Sequence, residues 1–320
     1  MKSLARTLTA IAATLTVGLA AAQGSYPDKP ITVIVPFPPG VVDGYARLIA
    51  TKASAILGQP MVVKNQAGAG QRIGTDAVVK AAPDGYTIGV ITNAGVVSGP
   101  ALSKKVPYDP LKDLAYLTMS FESHYLVNTH PGSGITTIAQ LQQKARAEPG
   151  KLTFGSTGMG TGFHLAIERF VNAAGVQMLH VPYKGESPMT TDLIGGQVTI
   201  AINSLANRSM VESGKLVALA YTGETRSPLM PNVPTAKEQG VPHVSSGWLG
   251  FAAPAGLPPA VRDKLIAALT AASKDPEVVS TFTKAGLEAR AIAGDAFAAR
   301  VKSELAETIE LNKTLKIDLD

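Results

Sequence analysis

Short apolar runs rich in β-branched residues alternate with helical patterns along most of this chain. Residues 31–35 form a nearly continuous apolar run, and a helical pattern follows over residues 43–57 and ends at Gly58. The same order returns over residues 61–91 and starts again after residue 124. Strands that are apolar on both faces and alternate with helices are typical of parallel sheets covered on both sides. The alternation therefore predicts an α/β protein with parallel-rich sheets flanked by helices.

The two stretches of alternation predict two α/β lobes of about 100 residues each. We expect residues 23–123 to begin the first lobe, residues 124–223 to form the second, and residues 224–320 to return to the first. The chain is expected to turn helical after Trp248, with helices over residues 258–273, 276–285 and 295–315. No flexible linker separates the lobes, so crossing strands should join them and leave a cleft in between.

Residues 1–22 have the pattern of a cleaved signal peptide. Lys2 and Arg6 form a basic head, an apolar run follows, and Ala20-Ala21-Ala22 predicts cleavage before Gln23. A transmembrane anchor is the alternative, but the apolar run is shorter than the ~20 residues that cross a bilayer. Loss of the two basic residues lowers the formal charge of +5 to +3 and leaves no basic block for nucleic acid. We therefore expect an exported, periplasmic protein.

Sequence motifs for catalysis are weak. The chain has no cysteine, which excludes thiolate catalysis and cysteine-ligated metals. Gly155-Ser156-Thr157-Gly158 lacks one residue of the turn that presents a nucleophilic serine, and no nucleotide-binding glycine motif is present. His164 and Glu168, one helical turn apart, could bind a metal, but such a pair is more often a hydrogen bond on a helix face. The sequence predicts no enzymatic activity, no cofactor and no metal.

Three glycine-rich turns each follow a predicted strand and open a helix, at residues 36–43, 65–72 and 155–162. Such a turn places free backbone N–H groups and the positive end of a helix at the carboxyl edge of a parallel sheet, where an anion is favoured. One turn of this kind can be an ordinary connection. Three of them, from both lobes, predict that a carboxylate binds between the lobes.

The same segments carry a family resemblance over nearly the whole mature length. The matching segments are Tyr26-Pro27-Asp28-Lys29-Pro30, Val35-Pro36-Phe37-Pro38-Pro39-Gly40, Ala82-Pro83-Asp84-Gly85-Tyr86, His180-Val181-Pro182-Tyr183-Lys184-Gly185 and Asp192-Leu193-Ile194-Gly195-Gly196-Gln197. The chain resembles the periplasmic solute-binding proteins of tripartite tricarboxylate transporters, the Bug family. The resemblance implies a two-lobed Venus-flytrap protein of type II that closes on a small carboxylate and presents it to a membrane permease.

The resemblance also implies which residues hold the ligand. In that family backbone amides and bridging waters near the first and third turns bind one carboxylate, which corresponds here to Pro39, Gly40, Asp43, Ser156, Thr157, Gly158, Gly160 and His164. Asp192 matches a family aspartate near the cleft, although it could instead stabilise its helix. Val41 and Gln71 stand where family members commonly have glycine, and Val41, Phe37 and Phe163 would suit an aromatic acid.

Four further residues are candidates for setting the ligand. Arg72 and Arg208 could clamp a second carboxylate, or could be ordinary surface arginines. His124, at the crossing between the lobes, could donate to the ligand or be structural, and Asn203 belongs to another loop facing the cleft. A dicarboxylate is preferred, aromatic or aliphatic, while a tricarboxylate, an acidic amino acid and a nicotinate-like monocarboxylate stay open.

Two other functions remain open from the sequence. An exported hydrolase would use Ser156 with His164 or His124. A ligand-binding partner of a sensor kinase would use the same cleft as a transport protein, and the sequence does not separate the two. Nothing in the sequence requires more than a monomer.

Overall fold

The computed structural model describes residues 26–320, so the predicted signal peptide lies outside the described residues. Within residues 26–320, no helix has both the length and the apolar character needed to cross a membrane. In chain order the strands are β1 (Ile31–Val35), β2 (Met61–Asn65), β3 (Thr87–Thr92), β4 (Leu114–Thr129), β5 (Thr153–Ser156), β6 (Leu179–Pro182), β7 (Ile200–Ser204), β8 (Val217–Tyr221), β9 (Ser246–Pro254) and β10 (Glu288–Ala293).

The α-helices alternate with these strands over most of the chain. They are α1 (Val41–Leu57), α2 (Arg72–Val79), α3 (Gly99–Leu102), α4 (Ile138–Ala147), α5 (Gly162–Ala173), α6 (Glu186–Ile194), α7 (Arg208–Glu212), α8 (Pro259–Ser273), α9 (Pro276–Lys284) and α10 (Gly294–Leu315). A π-helical turn, Ala94–Ser98, follows β3 and leads into α3.

The long strand β4 joins two sheets. Up to His124 it pairs antiparallel with β9, and its first half also pairs with β10. From Tyr125 onward it pairs antiparallel with β7 and β8 instead. The first sheet, in the order β2–β1–β3–β9–β4–β10, belongs to lobe 1, and the second, which contains β5 to β8, belongs to lobe 2. The chain therefore crosses between lobes within one strand, and the N-terminal end of β9 lies beside that crossing.

The predicted α/β units form where the sequence alternates. In lobe 1, β1 pairs in parallel with β2 and β3, and in lobe 2, β5 pairs in parallel with β6 and β7. Helix α1 buries Ala46, Ile49, Ala50 and Ala53 against the sheet, and Gly58 ends it in a left-handed conformation with φ of 71°. Lobe 2 has its own core around Phe154, Ile167 and Phe170. Each lobe thus has a separate hydrophobic core.

One sequence prediction about the last third of the chain is wrong. The chain does not turn helical directly after Trp248, because Ser246–Pro254 is β9, which lies between β3 and β4. Gly250 interrupts the apolar run there, and its place is fixed by packing: a Cβ would lie 2.5 Å from the ring of Phe297. The three helices expected beyond it are present as α8, α9 and α10.

Helix α10 reaches from one lobe to the other. Phe297 and Val301, near its N-terminal end, are buried in a lobe 1 cluster with Trp248. Further along, Thr308 accepts a hydrogen bond of 2.7 Å from Arg169 of α5 in lobe 2. The helix therefore forms one side of the space between the lobes.

Candidate functional site: the cleft between the lobes

Two of the glycine-rich turns are held side by side in lobe 1. We call residues 36–43 loop 1 and residues 65–72 loop 2; they follow the parallel neighbours β1 and β2. Asn65 Nδ2 donates to the carbonyl oxygen of Phe37 at 2.9 Å and to Asp43 Oδ1 at 2.7 Å. The hydrogen bond from Arg47 lowers the pKa of Asp43, which is buried. Asp43 therefore fixes the two loops to each other, whereas the sequence had suggested a place beside the ligand.

The tip of loop 1 is open to solvent. Pro39 and Gly40 are exposed, and the Val41 side chain is 71% exposed. Phe37 is half-buried and packs against the core of lobe 1 rather than standing free in the cleft. The free N–H groups at the start of α1 have no side-chain cap, since Gly40 offers none. Loop 1 can therefore donate to an anion, but Phe37 does not form an exposed aromatic surface in the cleft.

Loop 2 has an unusual backbone at the position where family members commonly have glycine. Gln71 has φ of 77°, in the left-handed region that favours glycine. Its side chain accepts a hydrogen bond of 2.6 Å from Thr92, at the end of β3. Arg72 donates from Nε to the Ala69 carbonyl oxygen at 3.0 Å and from Nη1 to Ser103 Oγ at 2.8 Å. These contacts hold the Arg72 guanidinium at the edge of the cleft.

The third turn, residues 155–162, is loop 3 of lobe 2. Gly158 and Gly160 have φ of 124° and 70°, conformations that a residue with a side chain rarely adopts. Thr161 caps α5 by accepting from His164 N at 3.2 Å, and its hydroxyl lies 3.0 Å from that of Thr157. Gly160 N donates to His164 Nδ1 at 3.1 Å. Because Nδ1 is an acceptor here, the ring proton of His164 lies on Nε2.

Ser156 is partnered by a histidine that the sequence did not suggest. Its buried hydroxyl lies 2.7 Å from Nε2 of His180, the residue that pairs with Phe154 in β6. Burial lowers the pKa of His180 to about 4. The proposed pairing of Ser156 with His164 or His124 is therefore wrong. The buried oxygen is also poorly placed for attack on a substrate, which argues against the hydrolase alternative.

The His164 cluster is unsuited to a metal although its atoms are close. One ligand atom each of His164, Glu168 and His180 lies within 4.8 Å of the others. The rings of His164 and His180 are stacked, however, with centroids 4.1 Å apart and planes 18° apart, so their in-plane lone pairs do not converge on one point. His164 Nε2, which carries the proton, faces Glu168 Oε1 at 3.3 Å. The arrangement supports a carboxylate–imidazole contact instead of a coordinated ion.

Loops 2 and 3 line one cavity between the lobes. The cavity has a volume of about 260 Å³, enough for a small organic acid. Its walls are Ala69, Gly70, Arg72, Ala94, Ser98, Gly99, Ser103, Met159, Gly160, Thr161 and Leu319. We call it the loop cavity. Of the residues predicted from the sequence, Arg72 and Gly160 meet here, while Ser98, Ser103 and Leu319 were not anticipated.

His124 lies in a second, neighbouring cavity at the hinge. This hinge cavity of about 380 Å³ is bounded by the crossing strands, α5 and α10, and shares Ser98 with the loop cavity. His124 Nδ1 is 3.0 Å from the carbonyl oxygen of Ser245, and its Nε2 is 3.6 Å from Glu122 Oε1. Glu122 also pairs with Arg290 at 2.5 Å and with Arg300 at 2.9 Å. His124 is thus part of a buried ion network rather than of the loop cavity.

The hinge network is electrostatically balanced. Burial alone would raise the pKa of Glu122, but the His124 ring and the Arg300 and Arg290 guanidiniums outweigh burial and hold it well below its usual range. Burial likewise acts to lower the pKa of His124, but Glu122 outweighs it and raises that pKa. Each group stabilises the charge of the other, which is the arrangement expected of a structural network.

Three predicted residues lie apart from both cavities. Asp192 accepts a hydrogen bond of 2.9 Å from the Tyr183 hydroxyl. Asn203 is fully buried between Asn128 and Thr190. Arg208 donates to the Leu205 carbonyl oxygen at 3.5 Å and lies 3.9 Å from Glu212, so its partners belong to its own segment. The second arginine of the predicted clamp is therefore not brought to the loop cavity.

Two lobes joined by crossing strands, with a cavity lined by glycine-rich loops from both, define a binding protein of the periplasmic type. The chain belongs to the tripartite tricarboxylate transporter receptor family (TctC), whose sequence model matches residues 45–315. The family and the fold class inferred from the sequence are thereby confirmed. Members of this family are periplasmic receptors.

Known proteins similar to this chain come from several bacteria. Protein BugT of Bordetella pertussis is 37% identical over 277 residues, which cover 85% of this chain and 85% of BugT. The solved structure of Rpa4515 of R. palustris with adipate is 29% identical, with a TM-score of 0.72 over 92% of this chain and 99% of that one. MatC of Rhodopseudomonas palustris with bound malate is 28% identical, with a TM-score of 0.70 over 89% of this chain and 99% of that one.

Proposed function

We propose that this protein is exported to the periplasm, binds a small dicarboxylate between its lobes and delivers it to the membrane components of a tripartite tricarboxylate transporter. The observation that carries the proposal is the loop cavity, in which the backbone of loop 3 faces Arg72 of loop 2 across about 260 Å³. The positive N-terminal end of α5, which begins directly after Thr161, and a guanidinium are suited to two separate carboxylates.

The chemistry of the neighbours supports the same class of ligand. Adipate and malate, the acids in the two similar structures, are both dicarboxylates. The apolar part of the cavity wall here comes from Met159 and Leu319, not from an aromatic ring. Phe37 packs against the core of lobe 1 and Phe163 against Tyr125, with ring centroids 4.8 Å apart. These contacts favour a flexible aliphatic diacid over a phthalate.

Binding is expected to favour a closed arrangement of the lobes. A ligand that contacts loop 2 and loop 3 at once gains its full binding energy only when both lobes are in place, so it shifts the population toward that state. Glu122 and His124 lie at the point where β4 changes sheets, where such a motion would be centred.

A thermal-shift screen tests the proposal. The chain from Gln23 onward is heated with succinate, malate, adipate, phthalate, citrate and nicotinate, each in large excess. A ligand at ~100 times its dissociation constant adds ~2.7 kcal/mol, which raises the melting temperature by several degrees. We expect the aliphatic diacids to give the largest shifts. No shift with any acid of the panel would contradict the proposal.

A matched pair of variants locates the ligand. Arg72→Ala is expected to abolish most of the shift given by diacids, because it removes a guanidinium from the loop cavity. Arg208→Ala removes the same charge from lobe 2 at a residue held by Leu205 and Glu212, and the shift should remain. Equal losses in the two variants would argue that binding depends on overall charge and not on this cavity.

Delivery to a transporter needs a separate experiment. A strain that lacks this protein should lose uptake of the labelled acid that stabilises it, and expression of the wild-type chain should restore uptake. Unchanged uptake together with lost transcriptional response to the acid would favour a partner of a sensor kinase instead.

A further inference from the structure

The segment that follows α10 lies in the cleft and contacts both lobes. Ile317 is buried with Leu102 of lobe 1 and Leu165 of lobe 2. Leu319 N donates to the Leu102 carbonyl oxygen at 2.9 Å, and the Leu319 side chain lies against Gly160 of loop 3. We call residues 317–320 the tail segment.

The side chain of Asn312 fixes the direction in which the tail segment leaves the helix. Its Nδ2 donates to the Ile317 carbonyl oxygen at 3.0 Å, and its Oδ1 accepts from Ile317 N at 2.8 Å. Lys316, in the left-handed conformation, ends α10 directly before this point. The turn therefore aims the tail segment back along the edge of the loop cavity.

The carboxylate of Asp320 fills a set of converging donors. It accepts hydrogen bonds from Ser103 Oγ, from Lys104 N at 3.0 Å and from Lys105 N at 3.3 Å. Arg72 Nη1 lies 4.0 Å from the same carboxylate and donates to the Ser103 oxygen between them. The Asp320 side chain is only 15% exposed, and the hydrogen bond from Ser103 keeps its pKa below the usual range.

Two of these donors, Arg72 and Ser103, belong to the wall of the loop cavity, and the N–H groups of Lys104 and Lys105 follow Ser103 directly in the chain. Arg72 and Ser103 line it from lobe 1, Gly160 and Thr161 line it from lobe 2, and Leu319 of the tail segment lies between them. An acid that placed one carboxylate on loop 3 would direct its other end toward Arg72 and Ser103. That end would meet a group of donors that already holds a carboxylate.

We propose that Arg72, Ser103 and the N–H groups of Lys104 and Lys105 form the subsite for the second carboxylate of the ligand, and that Asp320 occupies this subsite until the ligand displaces it. This inference rests on the function proposed above. Asp320 of the protein therefore competes with the ligand for the subsite of the second carboxylate.

Displacement has a consequence for specificity. When an internal group occupies a subsite, the apparent affinity of a ligand that needs this subsite falls in proportion to the fraction of open sites. A dicarboxylate must expel Asp320, whereas a monocarboxylate bound on loop 3 leaves Asp320 in place. Weakening the hold on Asp320 should therefore strengthen binding of diacids selectively.

Titration calorimetry with matched acids tests this proposal on the chain from Gln23. The probes are adipate and hexanoate, which share a six-carbon chain and differ in the second carboxylate. Asp320→Asn removes the charge of the internal carboxylate. Asp318→Asn makes the same change at an exposed residue two positions earlier, and the asparagine keeps an oxygen that can accept from Asp320 N, as Asp318 Oδ1 does at 3.0 Å. We expect Asp320→Asn to tighten adipate binding about tenfold relative to wild type, with hexanoate and Asp318→Asn nearly unchanged.

A second substitution links the gain to the subsite. Arg72→Ala placed in the Asp320→Asn background should remove the added preference for adipate over hexanoate. If Asp320→Asn leaves that preference unchanged, or weakens adipate binding, the subsite proposal is wrong while the proposed function stands. If neither acid binds wild type or Asp320→Asn, both proposals fail together.

Discussion

Two buried groups of polar side chains, one at the hinge and one beside loop 3, hold histidine in opposite states. At the hinge, burial opposes the charge of His124, but Glu122 outweighs it and raises the pKa of the ring. Beside loop 3, His180 is stacked on Phe154 and His164, and burial lowers its pKa to about 4. His124 is buried and His180 is half-buried, and burial opposes the charge of both rings, so burial alone does not decide the outcome.

The difference lies in what faces each ring. At the hinge, a carboxylate that is already ionised by two guanidiniums favours a charged imidazole. Beside loop 3, the Glu168 carboxylate also favours a charged His180, but it does not outweigh burial. The hinge is therefore held by paired charges, whereas the His180 ring beside loop 3 is neutral near pH 7.

The largest expected effect comes from breaking the hinge network. Glu122→Gln removes the carboxylate that Arg290 and Arg300 share, although Glu288 and Glu304 still pair with them. Because a buried charged hydrogen-bond partner is lost beside His124, we expect a cost of ~2–3 kcal/mol. Urea unfolding of wild type and of Glu122→Gln measures the loss of stability. Glu310→Gln, which breaks the exposed pair with Lys313, is the control and should change stability by less than ~0.5 kcal/mol. A similar small change in both variants would show that the hinge charges are not coupled.

The next effect is the dependence of stability on pH through His180. Its folded pKa of about 4 lies below the unfolded value of 6.5, so the unfolded chain binds more protons between these values. Stability should therefore fall as the pH is lowered from 6.5 to 4, by ~1–2 kcal/mol after allowance for partial solvent screening. Thermal unfolding of wild type and His180→Gln across this range measures it. An unchanged slope in the variant would contradict the assignment.

Local features of this fold could be predicted from the sequence, while long-range partners could not. Apolar runs and helix-ending residues such as Gly58 located β1, β2 and α1, because these depend on neighbouring residues. The three glycine-rich loops could be found in the same way. Strand β9 was missed because Gly250 interrupts its apolar pattern. The glycine is needed because Phe297, 47 positions further along the chain, packs against it, and this contact is visible only in the folded structure.

The candidate site shows the same limit. Ser156 was predicted near the ligand, but its partner His180 depends on the register of β5 and β6, which no local pattern fixes. Ser103 and Asp320 are 217 residues apart and meet only because α10 crosses between the lobes. Arg72 and Arg208 were indistinguishable as candidates until the fold separated them.

Removing the hydroxyl of Ser156 is expected to lower the stability of the protein by a smaller amount. Ser156→Ala leaves His180 Nε2 without its partner at 2.7 Å and should cost ~1 kcal/mol of stability. The same variant tests the hydrolase alternative, since we expect wild type and Ser156→Ala to give the same background rate with an activated ester. Hydrolysis that wild type performs and the variant lacks would contradict a purely binding role.

The smallest expected effect comes from the hinge histidine, with a sign opposite to that of His180. Because the folded pKa of His124 is raised above 6.5, its contribution to stability is fully present below pH 6.5 and is lost as the pH rises through the folded pKa. In His124→Gln, the free energy of unfolding should therefore decrease less as the pH rises above 6.5. Chemical unfolding between pH 6 and pH 9 measures the change, and a variant that parallels wild type throughout would contradict a charged His124.

The measurement that tests the central claim most directly is a crystal structure of the protein with the diacid that stabilises it most. We expect one carboxylate of the acid on loop 3, the other beside Arg72 and Ser103, and Asp320 moved away from these donors. A diacid found in the hinge cavity would show that the loop cavity is not the binding site, and a diacid in the loop cavity with Asp320 still bound to Ser103 would show that Asp320 is not displaced.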